Sequence, residues 1–180
     1  VVRIDRDAII VDVGAKTEGV VPSRDLEKLD EEVRASIEVG DRVSVYVLRP
    51  ESPDGDLIVS VNMARTLEEW QEAERYLEEG EIYEGTVSDH NKGGLIVPFG
   101  QIRGFVPASQ LVNLGGRQSP ESRMKKLAQM EGEKLQLKVI EVNQPRRRLI
   151  FSQRAAMRHL REEQKEKLLE ELQEGDIRTG

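Results

Sequence analysis

The chain of 180 residues contains no cysteine, which excludes disulfide bonds and thiolate metal sites. Aromatic residues make up only 4% of the sequence and charged residues 34%, a composition that fits two small domains with thin cores better than one large core. No apolar run approaches the roughly 20 residues that a membrane-spanning helix needs, and no signal peptide is recognisable. We therefore expect a cytoplasmic protein built from small domains.

Negative charge exceeds positive charge, but the excess is unevenly spread. The net charge is −7. Residues 1–78 hold 10 bases and 19 acids, residues 79–154 hold 12 bases and 8 acids, and residues 155–180 have a balance of −2. An acidic first part repels phosphates, whereas a basic second part attracts them. Solubility alone also explains an excess of acids, so composition leaves both interpretations open.

The sequence repeats itself, with the order of the pieces preserved. Three pairs of segments correspond: IVDVGAKTEGVVPS (10–23) with IVPFGQIRGFVPAS (96–109), VGDRVSVYVL (39–48) with EGEKLQLKVI (131–140), and LIVS (57–60) with LIFS (149–152). In addition, EGEIYEG (79–85) returns as EGDIRTG (174–180). One unit of about 70–75 residues plus a linker therefore occurs twice and starts a third time. Because the first residue is Val1 and a new unit starts at the end, we expect a fragment of a longer protein.

Each copy is predicted to consist mostly of short strands. Val- and Ile-rich runs at 8–13 and 95–99 end at a glycine, and third strands stopped by proline follow at 19–22 and 104–107. Fifth strands follow hairpin turns at Asp54-Gly55 and around Pro145. Alternating apolar residues predict half-buried fourth strands: Val43, Val45 and Val47 in the first copy, and Leu135, Leu137 and Val139 in the second.

A short helix is predicted between the third and fourth strands. Its apolar stripe in the first copy is formed by Leu26, Leu29, Val33 and Ile37. Ser23 or Asp25 is the expected cap. The second copy has a Gly- and Ser-containing loop at 115–122, then Met124, Leu127, Ala128 and Met130. Five short strands with one helix after the third are typical of the oligonucleotide-binding (OB) barrel.

The segments after each copy are predicted to be helical linkers. The first carries an apolar stripe of Leu67, Trp70, Ala73 and Leu77, and the second carries Met157, Leu160, Leu168 and Leu172. Trp70 is the only tryptophan, and burial would remove roughly 150–250 Å² of it from water. We therefore expect Trp70 to anchor its linker on a barrel, with base stacking as the alternative.

The repeated segments resemble the repeat family named after ribosomal protein S-one. The resemblance lies in IVDVGAKTEGVVPS, GDRVSVYVL and LIVS, and again in EIYEGTVSDHNKGGLIVPFGQIRGFVPASQL, GEKLQLKVIEV and RRRLIFSQRAA. It covers essentially the whole chain. The resemblance implies a mainly β fold of two tandem five-stranded OB-fold barrels of the S-one repeat type, joined by α-helical linkers. The predicted boundaries are 1–65 for the first repeat, with an incomplete N-terminal strand, 66–78 for a linker, 79–154 for the second repeat, 155–174 for a second linker, and 175–180 for the first strand of a third repeat.

The resemblance also implies a role in translation. The family protein holds messenger RNA near the small ribosomal subunit. Its first two repeats are associated with anchoring to that subunit, in particular to protein S-two. Its later repeats carry most of the RNA affinity.

RNA-binding repeats of the family carry two aromatic residues on the second strand and a histidine after the third. This chain has Gly93, Ile96 and Pro107 at those positions of the second copy, and Asp7, Ile10 and Pro22 in the first. The stacking platform is missing twice, and its loss removes about 2–6 kcal/mol of base contacts.

The last hairpins of the two copies carry opposite charges. The first has Glu51, Asp54 and Asp56 where a binding repeat usually carries bases. The second has three arginines beside Asn143, and two more candidates lie in its first turn. The RNA-binding candidates are His90, Lys92, Arg146, Arg147 and Arg148. The competing interpretation is that the arginines form a solvated edge that blocks strand pairing. Phe99 and Phe105 are predicted to be core rather than stacking residues, whereas Tyr83 fits either role.

We find no catalytic constellation, cofactor motif or metal motif in the sequence. His90 and His159 lie on different predicted elements without an obvious nucleophile beside them. Three functions remain open: ribosome-anchoring tandem repeats of a protein that holds messenger RNA, a direct single-stranded RNA binder acting through the second copy, and accessory repeats of a ribonuclease. None of them requires a membrane or a small-molecule substrate.

Overall fold

The fold is mainly β, with two curled sheets joined by a helix, as the sequence predicted. The computed structural model describes residues 1–51, 53, 55–112, 114 and 119–172. It divides into two compact units, Val1–Glu68 and Glu69–Gly180. The predicted turn residue Asp54, positions 115–118 of the predicted loop and the predicted strand at 175–180 lie outside the described residues. In the described part of the chain, no helix is both long and apolar enough to cross a membrane.

The first unit is a five-stranded sheet with two short helices. Its elements are β1 (Arg3–Ile4), β2 (Ala8–Val11), β3 (Gly19–Pro22), α1 (Ser23–Leu26), α2 (Glu31–Ser36), β4 (Tyr46–Arg49) and β5 (Leu57–Ser60). The strand order is β1-β2-β3-β5-β4, and only the pairing of β3 with β5 is parallel. Alternate strand residues face inward, so the core contains Ile9, Val11, Val21, Leu57 and Val59.

The single helix predicted in the first unit is split into α1 and α2. α1 ends at Leu26, and Asp30, with a non-helical backbone of φ −57° and ψ 143°, precedes the first residue of α2. Leu26 and Leu29 are buried as the stripe predicts, whereas Val33 and Ile37 are half-buried. The predicted cap is wrong, because no side chain caps α1 and Asp25 lies inside that helix.

The second unit contains six strands. Its elements are β6 (Ile82–Thr86), β7 (Asp89–Asn91), β8 (Gly94–Phe99), β9 (Ile102–Pro107), a 3₁₀ turn (Ala108–Gln110), α4 (Pro120–Gln129), β10 (Lys134–Asn143) and β11 (Arg148–Ser152). Their order is β6-β10-β11-β9-β8-β7. The sixth strand arises because the first strand changes partner: Val87 N–H donates to Glu133, whereas Ser88 N–H donates to Ile96. The two halves of this segment thus form the two edge strands of the sheet, β6 and β7.

The predicted fourth strands behave differently in the two units. Leu135, Leu137 and Val139 are buried in β10, as their alternation predicts. In the first unit, β4 begins only at Tyr46, and Val47 is 47% exposed. The physical reason is pairing, since β10 has both β6 and β11 as neighbours. Among the described residues, β4 pairs only with β5.

Helix α3 (Val61–Glu79) runs from the first unit into the second, and its second half packs on the second barrel. Trp70 is 4% exposed and belongs to the core of the second unit, together with Ala73. The stripe continues through Tyr76 rather than Leu77, whose side chain is exposed. Trp70 therefore lies in a packed core rather than on a surface open to bases.

An aromatic cluster fills one end of the second core. Tyr83 stacks on Phe151, with ring centroids 5.4 Å apart, and also lies 4.9 Å from Phe99. Its hydroxyl donates a 2.9 Å hydrogen bond to the carbonyl of Pro98. Tyr83 is therefore half-buried against the core, with its hydroxyl at the surface.

The second linker forms helix α5 (Gln153–Glu171). Ala156 is its one buried residue among those described, and Met157 and Leu160 are half-buried. Leu168 is 54% exposed. The predicted stripe therefore contacts the barrel only near its beginning.

Candidate nucleic-acid interface

Strand registers define a continuous outer face on the second unit. Ile96 pairs with Phe105 across β8 and β9, and Phe105 pairs with Ile150 across β9 and β11. Side chains on alternate residues share a face, so these three side chains form a row directed away from the core. The row gives the sheet an apolar centre on its outer side, half-buried at Ile96 and Phe105 and covered at Ile150, which is 6% exposed.

Phe105 lies on this face, which corrects its prediction as a core residue. Phe99 is buried in the aromatic cluster, but Phe105 is only half-buried and lies outside the core cluster. It lines a shallow recess of about 180 Å³ together with Asn91, Ile96, Arg103 and Gly104. A half-buried ring on the outer face, beside a polar amide and a guanidinium, is suited to an unpaired base.

The missing platform aromatic at Gly93 has a structural explanation. A Cβ atom at Gly93 would lie 3.2 Å from Cζ of Phe105. A large side chain at Gly93 and the ring of Phe105 would therefore compete for the same space. The second unit therefore carries its half-buried outer ring at Phe105 of β9 rather than at position 93.

Two arginines lie on one side of the apolar row, two residues before Phe105 and Ile150 along their strands. The side chain of Arg103 is 75% exposed, and its nearest guanidinium nitrogen is 3.9 Å from Asp89. That of Arg148 is 54% exposed and lies 3.5 Å from Glu141. Both partners are exposed carboxylates, and surface ion pairs of this kind contribute little stability. The guanidinium groups therefore remain accessible to phosphates. Sequence reasoning missed Arg103 because no other basic residue lies beside it in the sequence.

Arg146 and Arg147 occupy the turn between β10 and β11 beside Arg148. The backbone N–H of Arg146 donates to the side-chain oxygen of Asn143 at 3.2 Å. Arg147 has a φ of 49°, the only positive value at a described residue other than glycine. The turn thus presents three consecutive cations at the edge of the outer face.

The other two candidates lie apart from the arginine turn. Asn91, which precedes Lys92, pairs with Gly94, and Gly94 pairs with Pro107 of β9. Leu149, which follows Arg148, pairs with Gly104 of β9. Three residues of strand, about 10 Å, separate these levels. Lys92 is exposed. The two groups of cations therefore lie on opposite sides of the apolar row instead of forming one patch.

His90 is engaged with an acid. Its Nδ1 contacts the carboxylate of Glu131, and its side chain is only 20% exposed. Ligand atoms of Asp89, His90 and Glu131 lie within 4.8 Å of one another, but Asp89 already accepts the backbone N–H of His90 at 2.8 Å. These groups satisfy one another without an ion, and His90 is less accessible to RNA than Lys92.

The same registers locate the equivalent face of the first unit. Ile10 pairs with Val20, and Val20 pairs with Ile58, which reproduces the row of the second unit. Val20 therefore takes the place of Phe105. By the same alignment, Glu18 takes the place of Arg103 and Asp56 that of Arg148. The first face has no aromatic ring in its row and carries acids where the second carries arginines.

Comparison with known proteins agrees with this architecture. The family model described as S1 RNA binding domain matches residues 1–62 and 76–154. The small ribosomal subunit protein bS1 of Mycolicibacterium smegmatis is 38% identical over 181 aligned residues, which cover 100% of this chain and 36% of that protein. The bS1 protein of Chlamydia muridarum is 32% identical, over 100% of this chain and 29% of that protein.

A chain in the solved structure of the a/eIF2alpha-aDim2p-rRNA complex from Pyrococcus horikoshii OT3 is similar in fold, with 19% sequence identity and a TM-score of 0.36. The match covers 50% of this chain and 52% of the chain in that complex. The chain spans about a third of the length of the ribosomal relatives that it matches. Two matched segments, each corresponding to one curled sheet, show that this chain belongs to the family of S1 RNA-binding domains.

Proposed function

We propose that this tandem pair holds single-stranded RNA at the small ribosomal subunit, with a division of labour between its units. The second unit contacts the RNA, and the first unit serves the anchoring of the protein to the subunit by protein–protein contacts. The observation that carries the proposal is the contrast between the two outer faces. Phe105, Arg103 and Arg148 on the second face correspond to Val20, Glu18 and Asp56 on the first.

The RNA contact would be built around the recess on the second unit. An unpaired base stacks on Phe105, and Asn91 lies beside it with a side chain that both donates and accepts hydrogen bonds. Arg103 and Arg148 contact phosphates on one side, and Lys92 on the other. One stacked base contributes about 1–3 kcal/mol, so binding through this face is weak per nucleotide and depends on salt.

The anchoring role of the first unit follows from its charge. Its outer face is acidic, and residues 1–78 hold 19 acids against 10 bases. Such a surface repels RNA at physiological salt but is compatible with a protein partner. The relatives matched over the whole chain are small-subunit ribosomal proteins, which favours a ribosomal role over attachment to a ribonuclease. We propose small-subunit protein S-two as the protein partner, messenger RNA as the nucleic acid, and the cytoplasm as the location.

A sedimentation assay tests the proposal. The 180-residue chain is mixed with small ribosomal subunits stripped of their own bS1 protein, with and without excess unstructured RNA. Co-sedimentation that survives the competitor supports protein-mediated anchoring. Complete loss with competitor contradicts anchoring and leaves RNA binding by the second unit as the function. A chain that neither co-sediments nor binds single-stranded RNA contradicts the whole proposal.

A further inference from the structure

The amide of Asn91 lies beside the ring of Phe105 in the recess on the second unit. Both residues line that recess, which has a volume of about 180 Å³. A Cβ atom at Gly93 would lie 3.2 Å from Cζ of Phe105 and 3.3 Å from Oδ1 of Asn91, so the edge of the ring and the amide oxygen border the same small space. A base that stacks on Phe105 therefore brings one of its edges to the amide of Asn91.

The turn between β7 and β8 fixes which way that amide faces. The backbone N–H of Gly93 donates a 2.8 Å hydrogen bond to Oδ1 of Asn91. An N–H group donates to the oxygen of an amide and not to its nitrogen, so this bond tells the two atoms apart. Among the described residues, the amide nitrogen of Asn91 has no hydrogen-bond partner. The side chain thus keeps its acceptor for its own turn and offers its N–H donors to a ligand.

The other groups around the recess add donors rather than acceptors. Arg103 also lines it, and a guanidinium carries N–H groups only. The carbonyl of Gly93 accepts the backbone N–H of Ala108 at 2.8 Å. Asp89, an acid on the same face, does not line the recess; its carboxylate accepts the N–H of His90 at 2.8 Å and lies 3.9 Å from Arg103. The acceptors nearby are therefore engaged, whereas the donors face the recess.

This arrangement changes the usual preference of an asparagine for a base. An asparagine whose oxygen and nitrogen are both available forms paired hydrogen bonds with N6 and N7 of adenine. In the second unit, the amine at N6 would have to share Oδ1 of Asn91 with the N–H of Gly93. Guanine carries acceptors at both corresponding positions, O6 and N7, and these match a surface that donates.

We infer that Asn91 is a specificity residue, which makes the recess select guanine over adenine in single-stranded RNA. The inference rests on the proposed RNA contact at Phe105 and deepens it by naming the base. The ring of Phe105 stacks on either purine, so it contributes affinity without discrimination. Discrimination arises at the edge of the base, where guanine accepts from the nitrogen of Asn91 and adenine presents an amine to a donor.

Short RNA strands that carry a single purine test the inference. Each strand has a base at its central position only and abasic sugars elsewhere, so that it neither pairs nor stacks with itself. The central base is guanine, adenine or hypoxanthine, which keeps O6 of guanine but lacks its amine at C2. Titration followed by nuclear magnetic resonance reads the backbone N–H signals of residues 93 and 105 and gives dissociation constants even for weak binding.

Two matched substitutions separate hydrogen bonding from charge. Asn91→Asp replaces the donating nitrogen by an oxygen and keeps an acceptor for the N–H of Gly93, which this kind of turn accommodates. Asn143→Asp makes the same change in the turn between β10 and β11, where the side-chain oxygen accepts the N–H of Arg146 at 3.2 Å. Both substitutions add one negative charge to the second unit, so both should weaken the binding of every strand. Only Asn91→Asp should change the ratio between guanine and adenine.

In the unmodified chain, we expect guanine and hypoxanthine to bind about fivefold more tightly than adenine, the ratio that one net hydrogen bond supports. Asn91→Asp should abolish or reverse this ratio. Equal binding of guanine and adenine, hypoxanthine that binds like adenine, a ratio that survives Asn91→Asp, or one that Asn143→Asp changes as much overturns the inference.

Two results separate the inference from the RNA contact on which it rests. Binding that shows no preference between the purines but is lost in Phe105→Val overturns the selectivity and leaves the contact in place. Strands that leave the signals of Gly93 and Phe105 unshifted contradict both the selectivity and the RNA contact.

Discussion

The hydroxyl of Ser60 donates a 2.5 Å hydrogen bond to the buried carboxylate of Asp25, which lies 35 positions earlier in the chain. The other oxygen of that carboxylate accepts the backbone N–H groups of Val61 and Asn62, at 2.9 and 3.2 Å. Ser60 in turn accepts the N–H of Met63 at 2.9 Å. Together, Asp25 and Ser60 cap the N-terminus of α3, where unpaired N–H groups and the helix dipole favour a negative charge.

The second unit repeats this corner with a neutral partner. Ser152 donates to the side-chain oxygen of Gln110 at 2.7 Å and accepts the N–H of Ala155 at 3.0 Å. Each linker helix is therefore attached to its preceding barrel by a serine at the end of the last strand. The carboxylate version in the first unit satisfies more backbone donors than the amide version does.

Replacing Asp25 by alanine should destabilise the first unit by about 1–3 kcal/mol, because buried donors at the start of α3 lose their acceptor. Hydrogen exchange at the amides of β5 measures the change in the first unit alone. Asp30→Ala is the matched control, since Asp30 is exposed and its side chain caps no helix. An equal effect of both substitutions would contradict the capping role.

Replacing Phe105 by valine gives the second unit the residue that the first carries at this place. We expect affinity for a fluorescently labelled single-stranded oligoribonucleotide to fall about tenfold or more, because one base loses its stacking partner. Fluorescence anisotropy measures the dissociation constant. The reciprocal change, Val20→Phe, is expected to leave RNA affinity unchanged because Glu18 and Asp56 repel the phosphates. Unaltered affinity of Phe105→Val would show that the ring does not contact RNA.

Changing Arg146, Arg147 and Arg148 together to glutamate should abolish measurable RNA binding at physiological salt. Where binding persists at low salt, the slope of log K against log salt should fall by about 0.7 for each lost phosphate contact. The control changes three exposed cations on α4: Arg123, Lys125 and Lys126. A similar loss in the control would mean that net charge, rather than the arginine turn, governs affinity.

The pKa of Tyr83 is raised above its ordinary value of 10, mainly by burial and also by the nearby Tyr76. A raised pKa means that the hydroxyl of Tyr83 keeps its proton to a higher pH in the folded protein than in the unfolded chain. This contribution to stability is complete below pH 10 and is lost as the pH rises through the folded pKa. The absorbance of tyrosinate at 295 nm should show a late-titrating group that Tyr83→Phe removes. The same variant should lose less stability than the parent above pH 10.

The sequence by itself determined the number of barrels, their order and most of their cores. Order and spacing of the repeated segments are local properties, and alternation such as that of Leu135, Leu137 and Val139 follows from the twofold period of a strand. Gly14 and Gly100, the glycines that end the apolar runs, adopt positive φ values of 72° and 59°, which glycine tolerates. These features need no knowledge of which strands become neighbours.

Only the tertiary structure decided the features that depend on a distant partner. Alternation groups residues on one side of a strand but does not say which side meets the core, so Phe99 and Phe105 were indistinguishable before pairing was known. Asp25 was expected to cap its own helix and instead caps one that begins 36 residues later. Pairing across the sheet, rather than propensity along the chain, thus set the character of the outer face.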